Sequence, residues 1–117
     1  MTSRRVERVG EAMREIIAEL LIREVKDPRV GIVTLTAIEV SPDLRHARVY
    51  FSCLGDTATR QRAGAGLQSA TGFLKAQLAR RLRLRFAPDI VFVADPSLEH
   101  ADRISALLKK QTAPNGE

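Results

Sequence analysis

Tryptophan is absent, cysteine and tyrosine occur once each, and only five of the 117 residues are aromatic. A base-stacking platform built from several aromatic side chains is therefore not expected. Cys53 alone can form neither an internal disulfide nor a cysteine-rich zinc site. His46 and His100 are the only histidines, and neither has a second histidine or cysteine at metal-ligand spacing. No glycine-rich phosphate loop is present. Gly64-Ala65-Gly66 lacks the glycine three residues on and follows no strand directly. No run is apolar enough to cross a bilayer, and the basic N-terminus leads into an amphipathic segment rather than a signal-peptide core. These absences point to a soluble cytoplasmic protein, with no membrane partner and no metal or other cofactor. Asp27, Asp43 and Asp95 all lie beside or near prolines, where turn formation accounts for them better than acid–base chemistry. Cys53 falls on the expected inner face of a strand, where a free cysteine packs rather than reacts. Neither an enzyme nor a small-molecule substrate is expected.

One further absence is informative. Between Thr57 and Pro88 there is no acid, and there are seven basic residues: Arg60, Arg62, Lys75, Arg80, Arg81, Arg83 and Arg85. The chain as a whole has 19 basic and 14 acidic residues, a net charge of +5. Outside this segment the 12 remaining bases are outnumbered by the acids, so the positive excess lies entirely within it. Such segregation is the electrostatic footprint of a polyanion partner.

The length suits one compact domain with its own core, expected over residues 1–110 and followed by a patternless, flexible tail over 111–117. Ser3 can cap a helix running to about Glu24. Val6, Val9, Met13, Ile16, Ile17, Leu20 and Leu21 follow helical spacing and face the core. Glu7, Glu11, Glu15 and Glu19 form an acidic row, self-repelling unless a cation lies close. Arg4, Arg5 and Arg8 crowd the first turns, where the helix dipole prefers acids. That placement suits either solubility or contact with phosphate.

Pro28 stops the helix. Ile32–Val40 is rich in β-branched residues and reads as a strand, with apolar residues on both faces, so its inner face stays open. Ser41-Pro42-Asp43-Leu44 is a turn. In the next strand, His46–Leu54, Ala47, Val49, Phe51 and Cys53 alternate with polar neighbours and point inward. The short connection makes the pair an antiparallel hairpin. Asp56 or Thr57 can cap a short helix to about Ala70, which Gly64 and Gly66 weaken by about 1 kcal/mol each. Gly72 is expected to break the chain by a positive φ. A basic helix follows over Phe73–Arg85, with Leu74, Leu78 and Leu82 on its apolar face. Pro88 ends that region, and Ile90–Ala94 is a third strand. Asp95-Pro96-Ser97 opens a last helix with Leu98, Ala101, Ile104 and Leu108 as its stripe. The order argues for an α+β layer with helices covering a three-stranded sheet.

Two helices joined by a tight kink, inside such a domain, suggest a KH-like RNA-binding fold, although the Gly-x-x-Gly loop of KH domains is missing. Ala70-Thr71-Gly72 stands in its place. The chain resembles the ribosome-binding factor A family from Arg5 to about Leu108. The matching stretches are Arg5-Val6 and Arg8-Val9, then Val25-Lys26-Asp27-Pro28-Arg29-Val30. They continue with Ser41-Pro42-Asp43-Leu44, Ala47-Arg48-Val49-Tyr50 and Ala70-Thr71-Gly72-Phe73-Leu74. The last are Leu84-Arg85, Pro88, Phe92 and Asp95. None is specific alone; their order and spacing together are.

The resemblance implies a KH-type fold of the second topology, with an Ala-x-Gly interhelical kink in place of the KH loop. It also implies a bacterial assembly factor that binds the small ribosomal subunit and assists late maturation of its ribosomal RNA, including 5′-end processing by other enzymes. A role in growth at low temperature is implied as well. The expected RNA-binding residues are Arg5, Arg8, Ala70, Thr71, Gly72, Lys75, Arg80, Arg81, Arg83 and Arg85, in a protein acting as a monomer. Two other readings compete: a DNA-binding helix-turn-helix using Phe73–Arg85, and a protein-docking module using the acidic face of the first helix. The strands argue against the first. Dense charge without mid-helix Asn or Gln favours backbone contact over base readout.

Overall fold

The computed structural model describes residues 3–31 and 33–95. The expected last helix from Asp95 and the tail therefore lie outside the described residues. Helix α1 spans Arg4–Arg23, and the Ser3 hydroxyl accepts its Val6 N–H as an N-cap. Its apolar stripe, Val6, Met13, Ile17, Leu20 and Leu21, is buried as expected. A 3₁₀ turn over Pro28–Val30 follows, capped by Asp27. Strands β1 (Val33–Val40) and β2 (His46–Cys53) form the antiparallel hairpin. Helix α2 (Thr57–Arg81) carries the chain over to β3 (Asp89–Ala94), which runs parallel to β2. The sheet order is β1-β2-β3, and the fold is the expected α+β layer.

The core lies between the sheet and the two helices. Met13, Ile17 and Leu20 of α1 and Leu67, Leu74 and Leu78 of α2 meet Leu35, Ala47, Val49, Phe51 and Ile90 of the sheet. The inner face of β2 is the one read from its alternation. That of β1 changes midway. Leu35 pairs with Phe51 and Ala37 with Tyr50, so Thr36 is an extra residue in a β-bulge. A bulge shifts the alternation by one. Val33 and Leu35 point inward before it, Ile38 and Val40 after it. Apolar residues on both parities thus serve one face.

The expected break at Gly72 is corrected. The two expected helices are one element, Thr57–Arg81. Among the described residues Gly55, at φ 126°, is the only glycine with positive φ. The cause lies in the stripe itself. Ala63, Leu67, Ala70, Leu74 and Leu78 are all buried at helical spacing, so the phase runs through Gly72 without interruption. Gly72 is on the outer side, and a Cβ there would meet nothing within 4 Å. Gly66 has the opposite situation. A Cβ there would lie 2.9 Å from Val30 Cγ1, so this glycine lets the 3₁₀ turn close on α2. Gly10 does the same for α1 over β1, with Val40 Cγ2 at 3.2 Å from its would-be Cβ.

The basic helix also ends earlier than Arg85. Leu82 is its C-cap. The Leu84 N–H donates to the Ala79 carbonyl at 2.9 Å and the Arg83 N–H to that of Arg80 at 3.4 Å. This is a Schellman motif, with Arg83 in the left-handed position that glycine usually takes. Its φ is 52°. Tertiary packing imposes the stop: Leu82 and Leu84 both pack against the core, which a continuing helix would not allow for residues two apart.

Candidate nucleic-acid interface

The seven cations of the acid-free segment do not share one environment. Two are engaged by acids from elsewhere in the fold. Lys75 Nζ lies 2.8 Å from Asp89 Oδ1 at the start of β3, and Arg81 Nη1 lies 3.6 Å from Glu19 Oε1 of α1. The Lys75 ammonium, donating directly, holds the Asp89 carboxyl below its ordinary range. Arg62 donates to the Thr59 hydroxyl at 3.3 Å. Arg80, Arg83 and Arg85 are exposed and, among the described residues, form no ion pair. Arg5 and Arg8, exposed on the first turns of α1, likewise form none.

Three of these cations converge. Arg5 from α1, and Arg83 and Arg85 from the segment after α2, line a cleft of about 360 Å³ together with Asp43, Leu44 and Phe86. The Schellman turn is what aims the last two. Had the helix continued, residues 83 and 85, two apart, would have pointed to opposite sides of it rather than lining one cleft. The opposite wall is the β1–β2 turn, where Leu44 takes φ 64°. The Ser41 hydroxyl donates to Asp43 Oδ1 at 2.7 Å, and the Arg45 N–H donates to the same oxygen at 3.1 Å. The Ser41 bond first, then the Arg45 amide, keeps the Asp43 carboxyl below its ordinary range. The carboxylate among the cleft's lining residues is thus engaged through Oδ1 from within its own turn. Arg45 then lays its guanidinium carbon 3.8 Å from the centre of the Phe86 ring, a cation–π contact. The Asp89 N–H donates to the Arg45 carbonyl at 2.8 Å, tying the turn to β3.

The remaining expected residues are dispersed. Ala70 is 8% exposed and belongs to the core, so its side chain is a packing group. The half-buried Thr71 donates its hydroxyl back to the Gln68 carbonyl at 2.8 Å. Gly72 is exposed a turn or more before the cluster. Arg45 and Phe86 were not singled out from the sequence. Phe86 had a faint signal, an aromatic directly after a run of arginines. Arg45 had none, because it reaches the cleft-lining Phe86 across 41 positions of chain.

Among the described residues there is no cluster of His, Cys, Asp or Glu able to hold a metal, and no helix long and apolar enough to cross a membrane. The acidic row of α1 is partly consumed: Glu11 pairs with Arg14, and Glu19 with Arg23 and Arg81. A docking module built on that row would have to compete with these arginines.

Comparison with known proteins places this geometry. The family pattern described as ribosome-binding factor A matches residues 5–108. The ribosome-binding factor A of Natranaerobius thermophilus is 48% identical over 110 residues, covering 94% of this chain and 84% of that protein. The crystal structure of ribosome-binding factor A from Thermus thermophilus superposes with a TM-score of 0.66 at 28% identity, covering 76% of this chain and 94% of that one. A homology model of the Thermus thermophilus factor, fitted into the cryo-EM map of a 30S complex, gives a TM-score of 0.61 at 28% identity, over 75% of this chain and 92% of that one. A match along nearly the whole sequence, joined to the same α+β layer, leaves one assignment: the chain belongs to the ribosome-binding factor A family.

Proposed function

We propose that the protein binds the small ribosomal subunit through phosphates of its ribosomal RNA and assists late maturation of that RNA, including 5′-end processing carried out by other enzymes. The observation that carries this reading is the convergence of Arg5 of α1 with Arg83 and Arg85 from the segment after α2, without acid partners among the described residues, in a chain of this family. Guanidinium groups suit phosphate because their planar donors match its oxygens in pairs. A Thermus thermophilus relative has been fitted into a 30S complex, which supports the small subunit as partner. Arg8 and Arg80, exposed and without an ion pair among the described residues, would add further phosphate contacts, and Lys75, Arg81, Thr71 and Gly72 are the remaining residues expected to meet RNA. On this reading the protein is not an enzyme, acts as a monomer in the cytoplasm, and supports growth at low temperature.

The test compares binding to purified small subunits with binding to duplex DNA of equal length. A folded Arg5→Gln/Arg83→Gln/Arg85→Gln variant should lose subunit binding, and cells carrying only that variant should accumulate 5′-extended precursor RNA, most clearly in the cold. Equal affinity for DNA and subunits, or normal processing in cells lacking the protein, would overturn the reading.

A further inference from the structure

Phosphate contact leaves one feature of the cleft unused. Phe86 is 45% exposed. It holds the Arg45 guanidinium at 3.8 Å from its ring centre, and that of Arg85 at 5.6 Å. Arg45 is also anchored at its backbone, by its N–H to Asp43 and by its carbonyl to Asp89. Oδ1 of the Asp43 carboxylate, in the same turn, is taken up by the Ser41 hydroxyl and the Arg45 amide. The guanidinium is thus kept on the ring.

A guanidinium held against an aromatic ring presents a flat, cationic outer face. Unstacked RNA bases pack on such faces, as they do on aromatic rings. Bases inside a duplex cannot, because their own faces are covered by the neighbouring pairs. Beside this platform, Arg5, Arg83 and Arg85 supply donors for the flanking phosphates. The space of about 360 Å³ falls within the roughly 300–1,000 Å³ typical of small-ligand sites.

We propose that the cleft between the first turn of α1, the β1–β2 turn and the Arg83–Phe86 segment seats one unpaired nucleotide of RNA. Its base stacks on the ring of Phe86, which lines the cleft and carries the Arg45 guanidinium, and its phosphates lie among Arg5, Arg83 and Arg85. The inference rests on the RNA-binding reading above and adds to it a preference for unpaired over duplex RNA.

The experiment uses the full chain and two labelled probes, an RNA hairpin carrying one bulged nucleotide and the same hairpin fully paired. Their affinities are read by fluorescence anisotropy at one salt concentration. One base stack predicts that the bulged probe binds about tenfold tighter. Phe86→Leu should erase that preference with a much smaller loss on the paired hairpin, since no charge is removed. Arg45→Gln should erase it too, with a modest loss on both probes. Arg80→Gln, which lies outside the cleft, should weaken both probes equally and keep the preference. Far-UV circular dichroism checks each variant; if Phe86→Leu does not fold, Arg45→Gln, on an exposed turn, decides alone. A parent protein that binds the two probes equally overturns the cleft proposal. So does a preference that survives in the folded cleft variants. If purified subunits still bind in either case, the functional reading stands without the cleft. A parent that binds neither hairpin nor subunits overturns both.

Discussion

Arg83 offers the sharpest separation of stability from binding. Its φ of 52° places a non-glycine residue in the left-handed region, at a cost of about 1–2 kcal/mol. Arg83→Gly removes that cost but adds about 0.4–1 kcal/mol of backbone entropy in the unfolded chain. The net expectation is a gain of about 1 kcal/mol against a non-glycine reference. The correct reference is Arg83→Ala. It deletes the same charge, and with it a favourable interaction of about 0.3–1 kcal/mol with the C-terminal end of the α2 dipole, but keeps the left-handed backbone strained. The difference between the two variants therefore isolates the conformational term. For a domain of this size it corresponds to a melting point about 4–6 °C higher for the glycine variant. Thermal unfolding followed by circular dichroism, with urea unfolding as a check, reads it directly. Affinity for the small subunit should fall equally in both, since each loses one guanidinium. A glycine variant no more stable than the alanine variant would refute the Schellman reading of the α2 terminus. Binding that differs between the two would refute the assignment of Arg83 as a charge contact.

Three other predictions concern the rest of the molecule. Gly72→Ala should stabilise the protein by about 0.5–1 kcal/mol, because it improves helix propensity where a Cβ meets open space; the same change at Gly66 should destabilise by about 1–2 kcal/mol through overpacking, since Val30 is buried and only 2.9 Å away. Chemical unfolding of the pair checks both signs. If Arg5, Arg8, Arg80, Arg83 and Arg85 each neutralise one phosphate, log K for RNA should fall against log[salt] with a slope of roughly −4, and a nearly flat dependence would remove the electrostatic basis of the interface. Asp43 and Asp89 are both held below the ordinary value of 3.8, by Ser41 and Lys75 respectively. Folding therefore favours their charged forms, and their contribution is present above about pH 4 and lost as pH falls through the depressed folded values. The urea midpoint should drop on acidification below pH 4, and less steeply in Lys75→Met; identical pH profiles would dismiss the Lys75 contact.

The local periodicities of this chain were sufficient for much of its architecture. The stripe of α1, the alternation of β2, the Ser41–Leu44 turn and the third strand are all short-range patterns, and each holds in the fold; that the third strand runs parallel to β2 is decided by the helix crossing between them. The concentration of positive charge between Thr57 and Pro88 was also visible, because counting needs no geometry. Three matters were decided only by tertiary structure. Thr36 is extruded because Leu35 and Ile38 must both reach one core, and no local signal marks which residue a bulge will spend. Gly72 looked like a hinge in isolation; the continuous burial of Leu67, Ala70, Leu74 and Leu78 overrides its freedom. The cations were sorted by acids and an aromatic that lie far away in sequence, with Glu19 and Asp89 taking Arg81 and Lys75, and Phe86 taking Arg45. Charge is a property of composition, but which charges remain free to meet a partner depends on what the fold brings beside them.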